Sequence, residues 1–185
     1  MRRRLWVHTI AAATLFGAWH GSRAQAPAPA TGALRRLTVL EFELVDEQHN
    51  PLTKAATEQR LRNATVQLRQ ELGERRLYTV VDPAPSQALQ DKLRAQQEYM
   101  YRCDDCALQI GQQLGVELVL TPWVQKVSEL ILNLNVQIYD VKADKVLFSK
   151  SVDMRGNDDV SWTRAVRYLA RDMAEKRERN PRYGQ

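Results

Sequence analysis

The spacing of hydrophobic residues changes several times along the chain, and each change marks an element. From Leu37 to Leu44 the residues alternate, with Val39, Glu41 and Glu43 opposing Leu40, Phe42 and Leu44, the two-residue repeat of a strand. Between Thr53 and Leu72 the repeat becomes helical. Ala56, Leu61, Ala64, Leu68 and Leu72 fall near one face, with Thr53 as a start and Gly73 as a stop. Leu77 to Val81 reads as a short strand closed by Asp82-Pro83-Ala84-Pro85, and Ser86 as the N-cap of a polar helix reaching about Tyr99. A third helix is expected from Cys103 to Gly115, with Ala107, Ile110 and Leu114 inward. Three β-type runs follow, Glu117 to Val127, Leu130 to Val141 and Lys145 to Met154, joined by connectors short enough for antiparallel hairpins. A last helix carries the apolar stripe Trp162, Val166, Leu169 and Met173. The order β-α-β-α-α-β-β-β-α predicts an α/β (α+β) domain with a single mixed sheet and helices mainly on one face.

The amino-terminal pattern is of another kind. Arg2, Arg3 and Arg4 precede an apolar stretch from Leu5 to Trp19, and Ala24-Gln25-Ala26 supplies a small-x-small cleavage signal. That order predicts a secretory signal peptide over residues 1–26, since the stretch is too short and too interrupted by His8, Thr9 and Thr14 to span a bilayer. The arginines before Leu5-Trp6 match a twin-arginine export signal only loosely. Residues 27–36, opening with Pro27 to Gly32 (PAPATG), are expected to be a flexible linker, 37–176 the domain, and 177–185 a charged tail that frays around Pro181. No later apolar run is long enough to span a membrane, and the first cysteine is Cys103. The expected mature chain is therefore an unlipidated periplasmic protein with no integral membrane segment.

Cleavage changes the electrostatic picture. The full chain has 27 Lys plus Arg against 22 Asp plus Glu and a net charge of +5. Removing Arg2, Arg3, Arg4 and Arg23 leaves 23 basic against 22 acidic residues, so nucleic acid is not an expected partner. The cut also leaves His49 as the one histidine. It sits in a loop-like Glu47-Gln48-His49-Asn50-Pro51 segment. No Ser-His-Asp or Cys-His set is then available, and no glycine-rich phosphate loop or metal-ligand cluster is visible. No catalytic residue, cofactor or metal is assigned.

Cys103-Asp104-Asp105-Cys106 is the sharpest local signal. In an oxidising compartment this spacing closes a small structural disulfide, the reading adopted here for Cys103 and Cys106. A thiol–disulfide oxidoreductase uses the same spacing. The two aspartates, however, would raise the pKa of a neighbouring thiolate, and the motif follows a helix rather than the first strand of a thioredoxin unit. A metal site would need further ligands, and Ala107 rules out c-type haem attachment.

Along the second hairpin strand Leu130, Leu132, Leu134, Val136 and Ile138 share one face, while Asn133, Asn135, Gln137 and Tyr139 share the other, with Ile131 the exception. On the next strand Val146, Phe148, Lys150, Val152 and Met154 alternate with Leu147, Ser149, Ser151 and Asp153. This predicts a helix-covered face and an open face of amides and hydroxyls suited to a wet protein interface or a polar ligand. Trp123, Lys126, Asn133, Asn135, Gln137, Tyr139, Ser149 and Ser151 are the candidate partner-binding residues. Pro122 within a strand argues for an edge or a bulge, placing Trp123 at a rim. In Arg155-Gly156-Asn157-Asp158-Asp159, Gly156 permits an unusual turn and Asn157 or Asp158 caps the final helix.

The run Cys106-Ala107…Ile110-Gly111…Leu114-Gly115-Val116-Glu117-Leu118-Val119-Leu120-Thr121, with Asp140-Val141 and Val146-Leu147 after it, resembles the amino-terminal domain of TolB and the periplasmic domain of the curli secretion protein CsgG. A closer resemblance is to an uncharacterised family of bacterial secreted proteins, a domain-of-unknown-function family. It rests on Cys103, Cys106, Trp123 to Ser128, Leu130 to Asn133, Ser151 to Asp153, Arg155 to Asn157, Asp159 and Ser161-Trp162. The resemblance spans about Leu37 to Met173 and implies a fold without implying a reaction. Curli secretion proteins oligomerise after lipidation, and the cysteine this needs is missing here. The expectation is a non-enzymatic periplasmic binding or assembly module with an envelope-protein partner. The alternative is a thiol–disulfide oxidoreductase using Cys103 and Cys106.

Overall fold

A computed structural model describes residues 33–46, 48–103 and 105–185. The expected signal peptide, residues 27–32 of the expected linker, Glu47 and Asp104 lie outside the described residues. Within Ala33–Gln185, a single compact unit, the strands are β1 (Arg36–Val39), β2 (Glu43–Asp46), β3 (Thr79–Val81), β4 (Leu118–Lys126), β5 (Ile131–Asp140) and β6 (Lys145–Arg155). The helices are α1 (Lys54–Glu74), α2 (Gln87–Arg94), α3 (Cys106–Leu114) and α4 (Asp159–Arg179). The mixed sheet runs β3-β1-β4-β5-β6, with β2 also on β4. The β1, β2 and β3 pairings are parallel and the β4-β5-β6 meander is antiparallel.

The first alternating run is two strands rather than one. Val39 pairs with Leu120 and Glu43 with Trp123, so Leu40, Glu41 and Phe42 oppose only Thr121 and Pro122. The cause lies in β4. The Leu120 carbonyl accepts from the Leu40 amide at 3.0 Å, so alternate residues 118, 120 and 122 direct their backbone groups toward β1 and β2. Pro122 has no N–H to offer there, and the extra residue bulges out opposite it. Helix α1 repairs the gap: Phe42 N–H donates to the Thr65 hydroxyl at 3.0 Å, and the Arg69 guanidinium donates to the Val39 carbonyl at 2.7 and 3.1 Å. Of the two expectations for Pro122, the edge is wrong, because β4 is interior, and the irregularity is right.

The period-two pattern sorts β4 and β5 between two cores. Leu118, Leu120, Leu132, Leu134, Val136 and Ile138 are buried beneath α1 and α4, against Leu68, Leu72, Val166 and Leu169. On the opposite face Val119 packs with Ile110, Cys106 and Leu93 of α3 and α2. The two long helices cover one face, and the two short ones cover the β1–β4 end of the other. Gly111 is required by this second contact, since a Cβ there would lie 2.3 Å from Val141 Cγ2.

Two expectations about side-chain direction change. A register shift between Ile138 and Tyr139 sets Phe148 opposite Ile138 but Val146 opposite Tyr139, so Val146 is turned out and exposed while Leu147 packs against the main core. The tail expected to fray is docked. Helix α4 continues to Arg179, Tyr183 meets Phe148 edge-on at 5.2 Å, and the Tyr78 hydroxyl donates to the Gly184 carbonyl. Arg177 joins them, donating to the Tyr78 hydroxyl at 2.7 Å and to the Tyr183 carbonyl at 3.0 Å. The charge of this segment concealed an arginine whose partners lie within the fold.

Candidate functional site

The open face is what α2 and α3 leave uncovered: β5, β6 and the second half of β4. Asn133, Asn135, Gln137 and Tyr139 are half-buried on it, and Ser149 and Ser151 are exposed, opposite Gln137 and Asn135 in register. Asn135 donates to the Asn133 carbonyl at 3.0 Å and Asn133 to Asp153 at 2.6 Å. These short-range bonds leave the outward surface rich in amides and hydroxyls.

Trp123 is half-buried at the β2 side of this face, with Tyr101 stacked on it at 4.1 Å and an interplanar angle of 5°. Tyr101 lies in the short 3-10 turn Met100–Arg102, which β2 fastens above Trp123: Glu43, paired in register with Trp123, accepts the Met100 amide with both carboxylate oxygens at 2.9 Å. Burial raises the Glu43 pKa and outweighs these hydrogen bonds. Arg102 lies 5.4 Å from the Tyr99 ring centre and 5.3 Å from that of Tyr101, completing an aromatic–cationic cluster. Beside it is a groove of about 520 Å³ lined by Tyr101, Arg102, Cys103, Thr121, Gln137 and Tyr139, among others. At its rim Tyr139 donates to Asp144, and this bond, with burial second, pushes the phenol pKa up to about 12. Cys103 and Cys106 are joined with their Cα atoms 5.5 Å apart, tying the turn that carries Tyr101 to the first residue of α3. Helix α3 starts at Cys106 rather than Cys103.

Lys126 does not belong to this face. It is fully buried in β4, opposite Asp46 of β2 in parallel register. Its ammonium lies 3.1 Å from Asp46 and 2.7 Å from Glu129, and 3.4 Å from the Thr53 hydroxyl. Burial works against the charge, but the hydrogen bonds to Glu129 and Asp46 overcome it and hold the Lys126 pKa above its ordinary value. Glu129 also accepts from Thr53 at 2.9 Å and from Asn157 at 2.8 Å, and Asn157 accepts from the Trp162 indole at 2.9 Å. One polar clamp therefore joins β2, the start of α1, the β4–β5 hairpin and the β6–α4 turn. The sequence pointed to a partner-binding cation because Asp46, eighty residues away, is brought alongside only by the parallel pairing.

The two cap candidates have separate roles. Asp158 is the N-cap of α4 and accepts the Ser161 amide at 2.8 Å, while Asn157 serves the clamp. Gly156, at φ +101°, makes the turn that a side chain would strain. Among the described residues, no group of three or more His, Cys, Asp or Glu could hold a metal ion, and no helix is long and apolar enough to cross a membrane.

A family model, DUF3280, described as "Protein of unknown function (DUF2380)", matches residues 35–173. The chain belongs to this family. No curated protein matches it. Among solved structures, E. coli LpoB is similar at 14% identity over 83% of this chain and 84% of that one, with a TM-score of 0.50. The LpoB C-terminal domain from Salmonella enterica is similar at 19% identity over 69% of this chain and 87% of that one, TM-score 0.45. TolB from Acinetobacter baumannii is similar at 10% identity over 81% of this chain but 29% of that one, TM-score 0.39. The first of these likenesses supports a shared fold, and at such identities the likeness extends to fold alone. The residues behind the family resemblance divide between the two regions: Lys126, Asn157 and Trp162 build the clamp, while Trp123 carries Tyr101 and the Cys103–Cys106 bridge ties the turn beside the groove. Sequence reasoning missed Tyr99, Tyr101 and Arg102, whose signal was the aromatic run ending next to Cys103.

Proposed function

We propose that this protein is a non-catalytic binding module of the bacterial cell envelope, exported by its amino-terminal signal, which captures a protein partner on the open face of β4, β5 and β6. The observation that carries this reading is the pairing of a rigid amide and hydroxyl surface with an aromatic groove at its rim. Asn135, Gln137, Ser149 and Ser151 stand on strands whose other side is locked into the core, so little ordering entropy is lost on binding. Trp123 and Tyr101 add a flat anchor of the kind that dominates interface energetics. Two supports for the compartment are the signal pattern of residues 1–26 and the disulfide.

The test places a photo-cross-linking residue at Asn135 in the exported protein, and in a control at Val66, which is exposed on α1. A specific adduct from Asn135 and none from Val66 is expected, and N135E/S149E should abolish capture through a second affinity tag. Equal adducts from both positions would overturn the assignment of this face. The thiol–disulfide alternative draws support from Cys103 lying on the groove wall, whereas Cys106 is fully buried. A reduction potential below about −300 mV is expected of a structural bridge, and one between about −120 and −200 mV would favour catalysis.

A further inference from the structure

Among the described residues, strand β6 ends the sheet, with β5 on one side and no strand on the other. The direction of its backbone groups follows from bonds at the adjoining strands. The Glu117 carbonyl accepts from Val141 and the Val127 amide donates to Ile131, whereas the Leu130 carbonyl accepts from Gly156 at 3.2 Å. Odd residues of β5 therefore bond toward β4 and even ones toward β6, so Phe148, Lys150, Val152 and Met154 bond inward to β5. Ser149, Ser151 and Asp153 then direct N–H and C=O away from the sheet. Arg155 points the same way and confirms the parity, its carbonyl accepting from the Ser161 hydroxyl at 3.0 Å.

Exposed edges are usually blunted by bulges, charges or cover. Here the register shift and Lys145 blunt the first part of β6 only. From Ser149 onward the strand is regular, and the inward-turned Lys150 is neutralised by Asp172. Alongside this stretch, between β6 and α4, lies a groove of about 570 Å³ whose walls include Val152, Met154, Ala165 and Tyr168. Its rim is basic: Arg155 and Arg164 line it, whereas Arg171, 5.7 Å from the Tyr168 ring, is already paired with Glu175 at 3.6 Å. Against them stands Asp153, already bonded to Asn133.

We propose that the outer edge of β6, from Ser149 to Arg155, is a strand-addition site for an extended acidic segment of a partner protein. Its main chain completes the ladder, and the alternate side chains turned toward α4 carry its acids into the groove, where they meet Arg164. A second copy of this chain is disfavoured, because pairing β6 with β6 would bring two sets of these same arginines to one groove. This site uses the outward main chain of Ser149 and Ser151, whose side chains stand on the open face, so Asn135, which lies on the face and not on the edge, is the position that tells the two apart.

The probes are two capped peptides of about seven residues, long enough to span Ser149 to Arg155 at roughly 3.3 Å per residue, one alternating Val and Glu, the other Val and Lys. The Val/Glu peptide should bind saturably at or below about 1 mM. It should slow hydrogen exchange at the Ser149, Ser151 and Asp153 amides at least tenfold, leaving the already protected Val152 amide unchanged. Ser151→Pro should abolish binding with the circular dichroism spectrum preserved, since the lost N–H faces solvent. N135E, which alters the face and not the edge, should leave binding intact. No binding, equal binding of the Val/Lys peptide, loss of binding in N135E, or a β6-dependent dimer in the free protein would each overturn the proposal. If S151P fails to fold, the exchange pattern of the wild type decides.

Discussion

Two polar regions sit on opposite faces of the β4–β5 hairpin, and the chemistry of their side chains does not tell them apart. The clamp around Lys126 and the open face around Asn135 both place amides, hydroxyls and charges on strand residues. In the clamp every group turns toward another part of the chain. Lys126 has two carboxylates, Glu129 has three donors, and Asn157 bridges Glu129 and Trp162. On the open face the bonds are between near neighbours, and the hydroxyls of Ser149 and Ser151 remain exposed. Polarity at a strand position therefore identifies a binding surface only when no distant segment arrives to satisfy it. The comparison also predicts opposite responses to mutation, since a buried charge is costly to strand and a wet amide is cheap to replace.

The largest effect is expected in the clamp. Asp46→Asn with Glu129→Gln leaves a buried ammonium without a counter-charge. We expect a loss of about 3 kcal/mol in urea unfolding, the low end for breaking a buried pair, because Glu129 keeps contact with water. Lys126→Met, which removes the charge and keeps the aliphatic stem, should cost less than the double carboxylate change; the reverse order would show that the clamp is not what holds this end together. The pH dependence has a defined sign. Burial pushes the Asp46 pKa up, but the Gln48 amide and Lys126 pull it below its ordinary value, and hydrogen bonds from Lys126 and Asn157 lower that of Glu129. Folded values below the unfolded ones mean that this stability is complete above the ordinary carboxylate range and is lost as pH falls through the folded values. Lys126 is shifted the other way, so its contribution is complete below the unfolded lysine value and is lost only as pH rises through the raised folded one. Tm should therefore decline below about pH 4, and the D46N/E129Q variant should show a shallower acid decline.

Next in size is the disulfide. With a sequence separation of only three, the closed loop is short, and chain entropy gives about 2 kcal/mol for its removal. Cys103→Ser with Cys106→Ser should lower stability by that amount. It should also loosen the Tyr101 turn, visible as faster exchange at the Met100 amide. A loss of activity against insulin disulfides, with stability unchanged, would instead support a redox role.

What the sequence could and could not reveal follows from range. Most strands and helices and the split of β5 into apolar and polar faces were legible, because they depend on neighbours two to four residues away. The second helix, however, ends at Arg94, short of the expected Tyr99, and Ser86 makes no side-chain cap. The break between β1 and β2 was half legible: Pro122 announced an irregularity, but the missing rung fell on the partner strand, at Leu40 to Phe42. Lys126 and the tail were misread for one shared reason. Their partners, Asp46 for the lysine and Leu77 and Tyr78 for Arg177, are distant in sequence, and a charge shows its pairing only after the sheet has formed. The open face was legible as a surface, while the turn that places Tyr101 over Trp123 was not, because Glu43 fastens it from another strand. A smaller effect belongs to the cap. Asp158→Ala should cost about 1 kcal/mol, and Asp158→Asn much less, since the Asn side chain can still accept the Ser161 amide.

The smallest stability effect is expected on the open face, and there a small effect is the informative result. Asn135 and Ser149 lie on strands anchored from below by Leu134, Val136 and Phe148, all buried, so their own side chains contribute little to the fold. Replacing both with Glu introduces two charges into a wet surface, where exposed substitutions usually stay within about 0.5 kcal/mol. The midpoint of urea unfolding for N135E/S149E should match the wild type within that margin, and its slope should be unchanged. Combining N135E/S149E with D46N/E129Q then sharpens the comparison. Sites with no shared partner should give additive losses, so the quadruple variant should unfold where the clamp variant does. A substantial extra loss would show that the face is coupled to the clamp and is part of the fold's support. Additivity would leave Asn135 and Ser149 energetically idle in the free protein, as residues kept for a partner should be.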